Sequence, residues 1–563
     1  MLFFRKRKKS RGEISFDEIL LDSSNLPSFN QGRMEGRLEK RISQRSVFAV
    51  GAIFILIVLI FIGKLFTLQV IEGAEYARQS TENTLQESLI VAERGIIRDR
   101  NGELIAWNEV DHSGQYQFPV RAYTDRGGLG QLVGYVSYPQ KDTSGFYYRT
   151  EYLGRSGIEE AFHEVLQGKN GKQIIETTAL GEVISEHVVE APTPGAELIL
   201  SLDVELSEFI HETLASTTDM LGFRSGAAAI MDIETGELIA LSSFPSYDPE
   251  VLSDGDDVAT ISALNSDERY PFLNKVIGGV YTPGSIVKPF VAYGALAEKI
   301  ISPEKIIVST GSITVPNPYN PENPSVFADW RAHGAMTMRD AIAYSSNVYF
   351  YTIGGGFGDQ PGLGITKLAR YFRLFGLDEK SGIPLYGELE GVVPDPEWKK
   401  EEFDDDWRLG DTYFTAIGQY GFLVTPLEML RAYAALANDG ILVEPQVILG
   451  AEGAKKDLHL DIESLRVVQE GMRRTVIQEG GTARGLERSD VAIAAKSGTA
   501  ELGASKAFVN SWVAGYFPYD KPKYAFVLLM EHGPRANTLG AGRVMGWIME
   551  WVAEHKPHLI SVE

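Results

Sequence analysis

Three short groups of residues carry side chains that could act together as a nucleophile and its partners. Ser285 and Lys288 lie three residues apart in the segment YTPGSIVKPF. If a helix begins near Ser285, both side chains share one face and the amine can approach the hydroxyl. A serine needs such a base, and a lysine can serve where burial or a second cation lowers its pKa. The S-x-x-K pattern is short enough to occur by chance, so it assigns nothing alone.

The second group is Ser345 and Asn347, in the segment TMRDAIAYSSN. Thr337 and Asp340 form a capping-box pattern, which predicts a short helix that ends before Ser345. At a helix exit, Ser345 could relay protons and Asn347 could hydrogen-bond both the lysine and a substrate amide. The alternative is that the two residues only terminate the helix.

The third group is the segment AKSGTA, residues 495–500, at the start of a predicted strand. Lys496 could add positive charge beside the first lysine, while Ser497 and Thr499 could hydrogen-bond a carboxylate. Gly498 would let a substrate backbone approach closely. The alternative is an edge turn with a solvated Lys496.

Local hydrophobic patterns predict the elements that must hold these groups. Apolar runs on both sides of Asn101-Gly102, of residues 234–237 and of residues 518–523 predict three strand pairs. One further helix is predicted over residues 541–555. Another has an apolar face made of Ile158, Ala161, Phe162 and Val165. Strands near both ends of the region after residue 196, with helices between them, indicate an α+β fold.

Length and composition narrow the class of protein. A chain of 563 residues is long enough for several domains. Asp and Glu number 76 against 53 Lys and Arg, and the formal charge of −23 argues against a nucleic-acid partner. The chain has no cysteine, which removes disulfides, thiolate nucleophiles and Cys-ligated metals.

An apolar segment near the N-terminus predicts a membrane anchor. Ser46 to Gly63 is uncharged over 18 residues, and after Lys64 the apolar run continues to Ile71. The segment is long enough to cross a bilayer and has no polar face. Its apolar region is longer than that of a cleaved signal peptide. Residues 1–45 hold 11 basic and 6 acidic side chains, so this tail is predicted to be cytoplasmic and the bulk extracytoplasmic.

The three groups occur along the chain in the order S-x-x-K, S-x-N, K-S-G-T. In these motifs and in their order the chain resembles the penicillin-recognising serine transferases. The nearer resemblance is to the class B penicillin-binding proteins of elongation type, the penicillin-binding protein 2 group. It extends to RGIIRDRNGELIA and GRSGIEEAF early in the chain, and to DIETGELIALSSFPSYDP and GDTYFTAIGQYGFLVTPLEML later. In the last segment Tyr420 replaces a small residue of the family pattern.

The resemblance implies an organisation in four parts. It implies a cytoplasmic tail over residues 1–45 and a single transmembrane signal anchor over residues 46–71. A mixed α/β pedestal of the dimerisation type would cover residues 72–195. A penicillin-binding transpeptidase domain, an antiparallel sheet flanked by helices, would cover residues 196–563.

The resemblance also implies the activity and the role of each residue. The chain would be a peptidoglycan D,D-transpeptidase of cell elongation and shape that releases D-Ala and binds β-lactam antibiotics, with no cofactor. Ser285 would be the nucleophile, Lys288 its base, Ser345 a proton relay and Asn347 a substrate contact. Backbone N–H groups of Ser285 and of the K-S-G-T strand would form the oxyanion hole. The terminal carboxylate of the substrate would be held by Lys496, Ser497 and Thr499, beside Gly498.

Some relatives bind a metal near the site through Asp, His and Cys side chains. This chain offers Asp329 and His333 in the segment ADWRAHG but no cysteine. We expect both side chains to be solvated and no metal to bind.

Three other activities stay open at this point. A D,D-carboxypeptidase would pass the acyl group to water. A β-lactamase shares the motifs, but it does not need the long region before Ser285, and this chain shows no clear deacylating glutamate element. A non-enzymatic scaffold would use the pedestal to activate a membrane glycosyltransferase of the shape, elongation, division and sporulation type, and the resemblance implies such a partner in any case.

Overall fold

The computed structural model describes residues 43–561 except 83–84, 113, 115, 144–146, 178–182, 318–319 and 538. The chain divides into two compact units. One comprises Met1–Gln86 and Thr177–Glu182, and the other comprises Glu87–Glu176 and Val183–Glu563. The boundaries predicted after residues 45, 71 and 195 stay predictions.

An apolar helix forms most of the described part of the first unit. Gln44–Phe66 is α-helical, Thr67–Ile71 continues it as a π-helical turn, and a further helix covers Gly73–Glu82. None of the side chains of Gln44–Phe66 is buried. By length and composition, Gln44–Ile71 can cross a membrane. The predicted apolar helix is therefore confirmed, beginning two residues earlier than expected.

Most of the described elements between residues 85 and 199 are short strands. A three-stranded sheet holds, in spatial order, Leu85–Ile90, Gly171–Thr177 and Val183–Glu190. A four-stranded sheet holds, in spatial order, Leu198–Ile199, Ile97–Arg98, Leu104–Glu109 and Val120–Tyr123. The other strands are Val136–Ser137, Gln140–Lys141, Tyr147–Arg149 and Leu153–Gly154, and the helices are Gly130–Val133, Gly157–Ala161 and His163–Leu166.

The turn predicted at Asn101-Gly102 is confirmed. Ile97–Arg98 pairs antiparallel with Leu104–Glu109. Gly102 has a φ of +85°, a conformation that favours glycine. The carboxylate of Asp99 accepts the backbone N–H groups of Asn101 and Glu103 at 2.8 Å each. This side chain therefore closes the turn together with the backbone hydrogen bonds between Asp99 and Glu103 and between Gly102 and Asp99.

The helical face predicted at Ile158 is only partly correct. The helix Gly157–Ala161 ends at Phe162, where φ is −109° and ψ is 28°, and His163–Leu166 begins anew. The break shifts the periodicity by one residue. As a result Leu166 is fully buried, whereas Val165 is 44% exposed.

A five-stranded antiparallel sheet is the centre of the C-terminal region. Its strands, in spatial order, are Leu238–Phe244, Ser225–Asp232, Tyr524–Pro534, Phe508–Phe517 and Ala494–Leu502. The two hairpins predicted at residues 234–237 and 518–523 are both confirmed, and they lie side by side in this sheet. The predicted antiparallel sheet is confirmed.

Helices cover both faces of this sheet, which explains why four of its strands contain long apolar runs rather than a strict alternation of apolar and polar residues. Alternate residues enter different cores. Ala227 and Ala229 pack in one core with Pro426–Ala437, a helix in which every residue is buried. Ala228 and Ile230 pack in the other core, which includes residues of the helices Val204–Leu221 and Ala541–His555.

Further helices and strands complete this region. The α-helices are Pro249–Asp254, Val258–Ser266, Lys288–Ala297, Met338–Tyr344, Asn347–Gly355, Ile365–Leu374, Pro396–Phe403, Leu409–Thr415 and Ile462–Ile477, with 3₁₀ turns at Gly284–Val287, Arg484–Leu486 and Pro557–Leu559. The short strands are Ile307–Ser309, Ser312–Val315, Ser325–Ala328, Gly334–Met336, Ile441–Val443 and Lys455–Asp457.

Candidate active site

Ser285 lies in the 3₁₀ turn Gly284–Val287, which leads directly into the helix Lys288–Ala297. The side chain is half-buried and lines a cleft of about 970 Å³. Among the described residues no hydrogen bond is made by the Ser285 hydroxyl, so the oxygen is free to meet a ligand in the cleft.

Neighbouring segments fix this turn from several sides. The N–H of Gly284 donates to the carbonyl of Gly418 at 2.9 Å, and a Cβ on Gly418 would lie 2.2 Å from the Gly284 carbonyl oxygen. The Tyr433 hydroxyl donates to the Ile286 carbonyl at 2.7 Å. These contacts set the position of Ser285 independently of any ligand.

Gly498 allows the edge strand Ala494–Leu502 to pack against the same turn. A Cβ at this position would lie 2.9 Å from Ile286 Cγ2 and 3.0 Å from the Pro283 carbonyl oxygen. The sequence predicted that this glycine admits a substrate backbone. In the structure it also admits the turn that carries Ser285, a close contact that the strand pattern does not reveal.

Lys288 is completely buried beside the cleft. Its Nζ donates to the Ser345 carbonyl at 2.8 Å, to Ser345 Oγ at 3.2 Å and to Asn347 Oδ1 at 2.7 Å. The structure thus brings the lysine of the first group together with both residues of the second. The Lys288 ammonium makes these contacts rather than a hydrogen bond to Ser285.

The surroundings of Lys288 favour its neutral form. Burial lowers the pKa of its amine to about 7, and the nearby Asp329 carboxylate opposes the shift. At pH 7 about half of the molecules would hold a neutral amine that can accept a proton.

The chain reverses between two helices at Ser345 and Asn347. Met338–Tyr344 ends at Ser345, whose φ of +57° is rare for serine, and Asn347 opens the helix Asn347–Gly355. The predicted cap is present, since Asp340 Oδ2 accepts from Thr337 Oγ1 at 2.7 Å. The prediction that Ser345 and Asn347 follow the end of a helix is confirmed, and the second helix was not expected.

Asp329 positions this reversal, a role that the sequence did not indicate. Its carboxylate accepts the backbone N–H of Asn347 at 2.9 Å, the N–H of Val348 at 3.0 Å and the Ser346 hydroxyl at 2.6 Å. These are the free donors at the start of the Asn347–Gly355 helix, where a negative charge is favourable. The only available signal was an acidic residue upstream of the motif.

The expectation that Asp329 and His333 are solvated is wrong. Both side chains are fully buried, and His333 Nε2 lies 3.5 Å from Asp329 Oδ1. His333 is covered by ring contacts to Trp330 and Tyr344. Within the described ranges no three His, Asp or Glu side chains are arranged to hold a metal. Because the Asp329 oxygens already accept helix donors, the pair does not fit a metal site.

The K-S-G-T segment lies on the edge strand Ala494–Leu502 as predicted. Ser497 and Thr499 line the cleft, and the Ser497 hydroxyl donates to Thr482 Oγ1 at 2.6 Å. Lys496 is not solvated, since it is completely buried and its Nζ donates to the Ser497 carbonyl at 2.8 Å. Burial and the positive charge of Lys288 hold the pKa of Lys496 well below its usual value.

All eight predicted residues therefore meet at one place. Six of them line the cleft: Ser285, Ser345, Asn347, Ser497, Gly498 and Thr499. The two lysines are buried beside it. Such an arrangement can acylate the serine, with a neutral amine as base and hydroxyl and amide groups to orient a peptide.

Comparison with known proteins agrees with this geometry. The family model described as "Penicillin binding protein transpeptidase domain" matches residues 226–550, and "Penicillin-binding Protein dimerisation domain" matches residues 116–200. The chain is 27% identical to the peptidoglycan D,D-transpeptidase MrdA of Escherichia coli K12, over 88% of this chain and 91% of that protein.

Solved structures show the same similarity. The complex of penicillin-binding protein 2 with MreC from Helicobacter pylori matches with a TM-score of 0.69 and 27% identity, over 84% of this chain and 99% of that one. A structure described as "structural coordination of polymerization and crosslinking by a peptidoglycan synthase complex" matches with a TM-score of 0.70 and 27% identity, over 93% and 100%. Since the transpeptidase model covers more than half of the sequence, the chain belongs to the penicillin-binding protein transpeptidase family.

Proposed function

We propose that this chain is a peptidoglycan D,D-transpeptidase that cross-links stem peptides through an acyl-enzyme on Ser285. The observation that carries the proposal is the buried Lys288 amine, held by Ser345 and Asn347 beside the cleft that Ser285 lines. Its position suits a base, and its lowered pKa makes the neutral form available near neutral pH.

In the first step, neutral Lys288 takes the proton from Ser285 as the serine oxygen attacks the carbonyl carbon between two D-alanine residues. The C–N bond then breaks. The leaving D-alanine nitrogen receives a proton through Ser345, whose hydroxyl lies 3.2 Å from the Lys288 nitrogen. An ester on Ser285 remains. Backbone N–H groups of Ser285 and Thr499 would stabilise the oxyanion, each donor contributing about 3 kcal/mol.

Side chains on the other walls of the cleft would orient the donor peptide. Ser497 and Thr499 would hydrogen-bond the terminal carboxylate from the edge strand, and Asn347 would hydrogen-bond a peptide amide. Lys496 belongs to the same strand, and its side chain is completely buried. It would act through its charge, because a proton on either lysine disfavours a proton on the other.

In the second step, an amine of a neighbouring stem peptide attacks the ester, forms the new amide bond and releases Ser285. Two-step acyl transfer of this kind gives ping-pong kinetics. The experiment supplies the full-length protein with a D-Ala-D-Ala peptide, with and without an acceptor amine. D-Ala release with an amide product supports the transpeptidase. Release with only the hydrolysed peptide would indicate a carboxypeptidase.

We further propose that the apolar helix Gln44–Ile71 anchors the protein with its N-terminus in the cytoplasm and its bulk outside. The basic tail supports this orientation. We propose as partner a membrane glycosyltransferase of the shape, elongation, division and sporulation type. The similar structure described as coordinating polymerization and crosslinking supports that proposal. If Ser285→Ala fully supported cell growth, the scaffold role would replace the catalytic one.

A further inference from the structure

Tyr420 occupies a backbone conformation that is unusual for a large side chain. Its φ is +68°, between Gly418 at +75° and Gly421 at +76°. Backbone strain of this kind persists only where the surroundings enforce it, and it concentrates at functional sites. The sequence singled out this tyrosine as a departure from the family pattern, and the proposed mechanism does not use it.

Aromatic side chains and a lysine hold the Tyr420 ring in place. Its centroid lies 6.1 Å from that of Trp398 and 5.8 Å from that of Trp407, both in edge-to-face contact. The Lys399 Nζ lies 5.7 Å from the ring centroid. A Cβ on Gly421 would lie 2.2 Å from Trp398, so the tryptophan also fixes the next residue. These contacts hold the Tyr420 ring in one orientation.

The loop that carries Tyr420 is attached to the turn that carries Ser285. Gly418, two residues before Tyr420, accepts the Gly284 N–H at 2.9 Å. The half-buried Tyr420 side chain lines the same cleft as Ser285. Ile417 and the 37% exposed Phe414 add apolar surface to this wall. An acyl group on Ser285 would therefore extend into a cleft that these apolar side chains help to line.

We propose that the Tyr420 ring is a specificity-determining wall of the acyl-donor site, which favours donors whose acyl group carries an apolar side chain. This inference rests on the proposed acylation of Ser285. The energy comes from contact between the ring face or edge and the apolar part of the donor. A ring that its neighbours already hold in place is suited to this task, because binding a donor then costs no entropy for ordering this side chain.

The test compares two penicillins with the same nucleus, one with a phenylacetyl and one with an acetyl side chain. The quantity measured is the ratio of their second-order acylation rates on the full-length protein. Tyr420→Gly removes the ring, and glycine accepts the local φ without strain. We expect the ratio of the phenylacetyl rate to the acetyl rate to fall roughly five- to tenfold in this variant. Tyr420→Phe keeps the ring and should keep the wild-type ratio.

Tyr270→Gly is the matched control. Tyr270 also has a positive φ, +55°, but it does not line the cleft, so the ratio should stay at the wild-type value. If Tyr420→Gly slowed both penicillins equally, the residue would only shape the loop and the inference would be overturned. If wild-type protein were not acylated at all, the proposed function would fail, and the inference with it.

Discussion

At the scale of single residues, two buried lysines define the chemistry of this site. Lys288 and Lys496 are both completely buried, and the positive charge of Lys288 depresses the pKa of Lys496. Protonating both would place two like charges in a region of low polarity, which is costly. The arrangement therefore favours a neutral Lys288 amine beside the cleft near neutral pH.

This predicts a specific pH dependence of acylation. A pKa of about 7 for Lys288 means that the neutral amine dominates above pH 7 and is protonated below it. We expect the rate of penicillin acylation to fall about tenfold per pH unit below pH 7. Stopped-flow labelling from pH 5 to 9, with melting curves to confirm folding at each pH, measures this. A flat rate would exclude Lys288 as the base.

A second residue-scale prediction concerns Asp329→Asn. The carboxylate caps the helix that begins at Asn347, and its charge opposes the pKa shift of Lys288. Removing the charge should slow acylation about tenfold by loosening Asn347. It should also move the acid limb of the pH profile to lower pH, because the Lys288 pKa falls further.

The matched control is Asp461→Asn, at the start of the helix Ile462–Ile477. Asp461 caps that helix by accepting the Ser464 N–H at 2.9 Å, and it does not line the cleft. Because asparagine caps a helix about as well as aspartate, we expect little change in stability and an unchanged pH profile. A shift of the acid limb in this variant as well would contradict the role given to Asp329.

Sequence predicted the residues of the three motifs but not those that hold them. Ser285, Lys288 and Asn347 stand in short patterns with a fixed order. Asp329 acts on a helix 18 residues further along the chain, and Gly418 contacts a turn more than 100 residues before it. Such contacts depend on tertiary packing, which no local pattern in one sequence encodes.

At the scale of elements, the site depends on the edge strand Ala494–Leu502 lying close to the Ser285 turn. We predict that Gly498→Ala slows acylation at least tenfold, because the added methyl would lie 2.9 Å from Ile286 Cγ2 and push the turn away. Overpacking of this kind costs about 1 to 3 kcal/mol of stability. Rates of penicillin labelling and melting temperatures give both quantities.

Gly63→Ala provides the comparison for that substitution. It adds the same methyl group in the apolar helix, where nothing lies within 4 Å. Labelling should remain at the wild-type rate. If Gly498→Ala also labelled at that rate, the close approach of strand and turn would not matter for acylation.

Elements were predicted well where the pattern is local and poorly where it is interrupted. Asn101-Gly102 identified its turn correctly. The helical face that included Val165 was wrong, because the helix breaks at Phe162 and buries Leu166 instead. Nothing in the spacing of the apolar residues signals that break.

At the scale of the whole molecule, strand order was beyond the sequence. Both predicted hairpins formed, yet Ser225–Asp232 pairs with Tyr524–Pro534, nearly 300 residues away. The apolar runs within these strands indicate burial on both faces, but they do not identify the neighbouring strand.

The second unit also contains a fully buried cluster of three charged side chains, which lies well before Ser285 in the chain. Glu159 accepts from Arg94 Nε at 2.5 Å and from Arg121 Nε at 2.8 Å, and none of the three side chains is exposed. Although burial opposes it, Arg121 and Arg94 hold the pKa of Glu159 below its usual value. The cluster joins the strand Val120–Tyr123, the helix Gly157–Ala161 and the irregular segment that holds Arg94.

We predict that Glu159→Gln destabilises the second unit by about 3 to 5 kcal/mol, because two buried guanidinium groups lose their counter-charge. Differential scanning calorimetry should show a lower transition temperature, with penicillin labelling of Ser285 retained well below it. Glu160→Gln changes the neighbouring, half-buried carboxylate and should leave the transition within about 0.5 kcal/mol of wild type. Equal effects of the two substitutions would contradict the importance of the cluster.

The most direct test of the account is intact-protein mass spectrometry of the full-length chain after exposure to penicillin, with the adduct mapped by peptide analysis. We predict one long-lived adduct, on the peptide that contains Ser285, and none in a Ser285→Ala variant that melts like wild type. An adduct on another residue, equal labelling of the variant, or no labelling of folded wild-type protein would contradict Ser285 as the nucleophile.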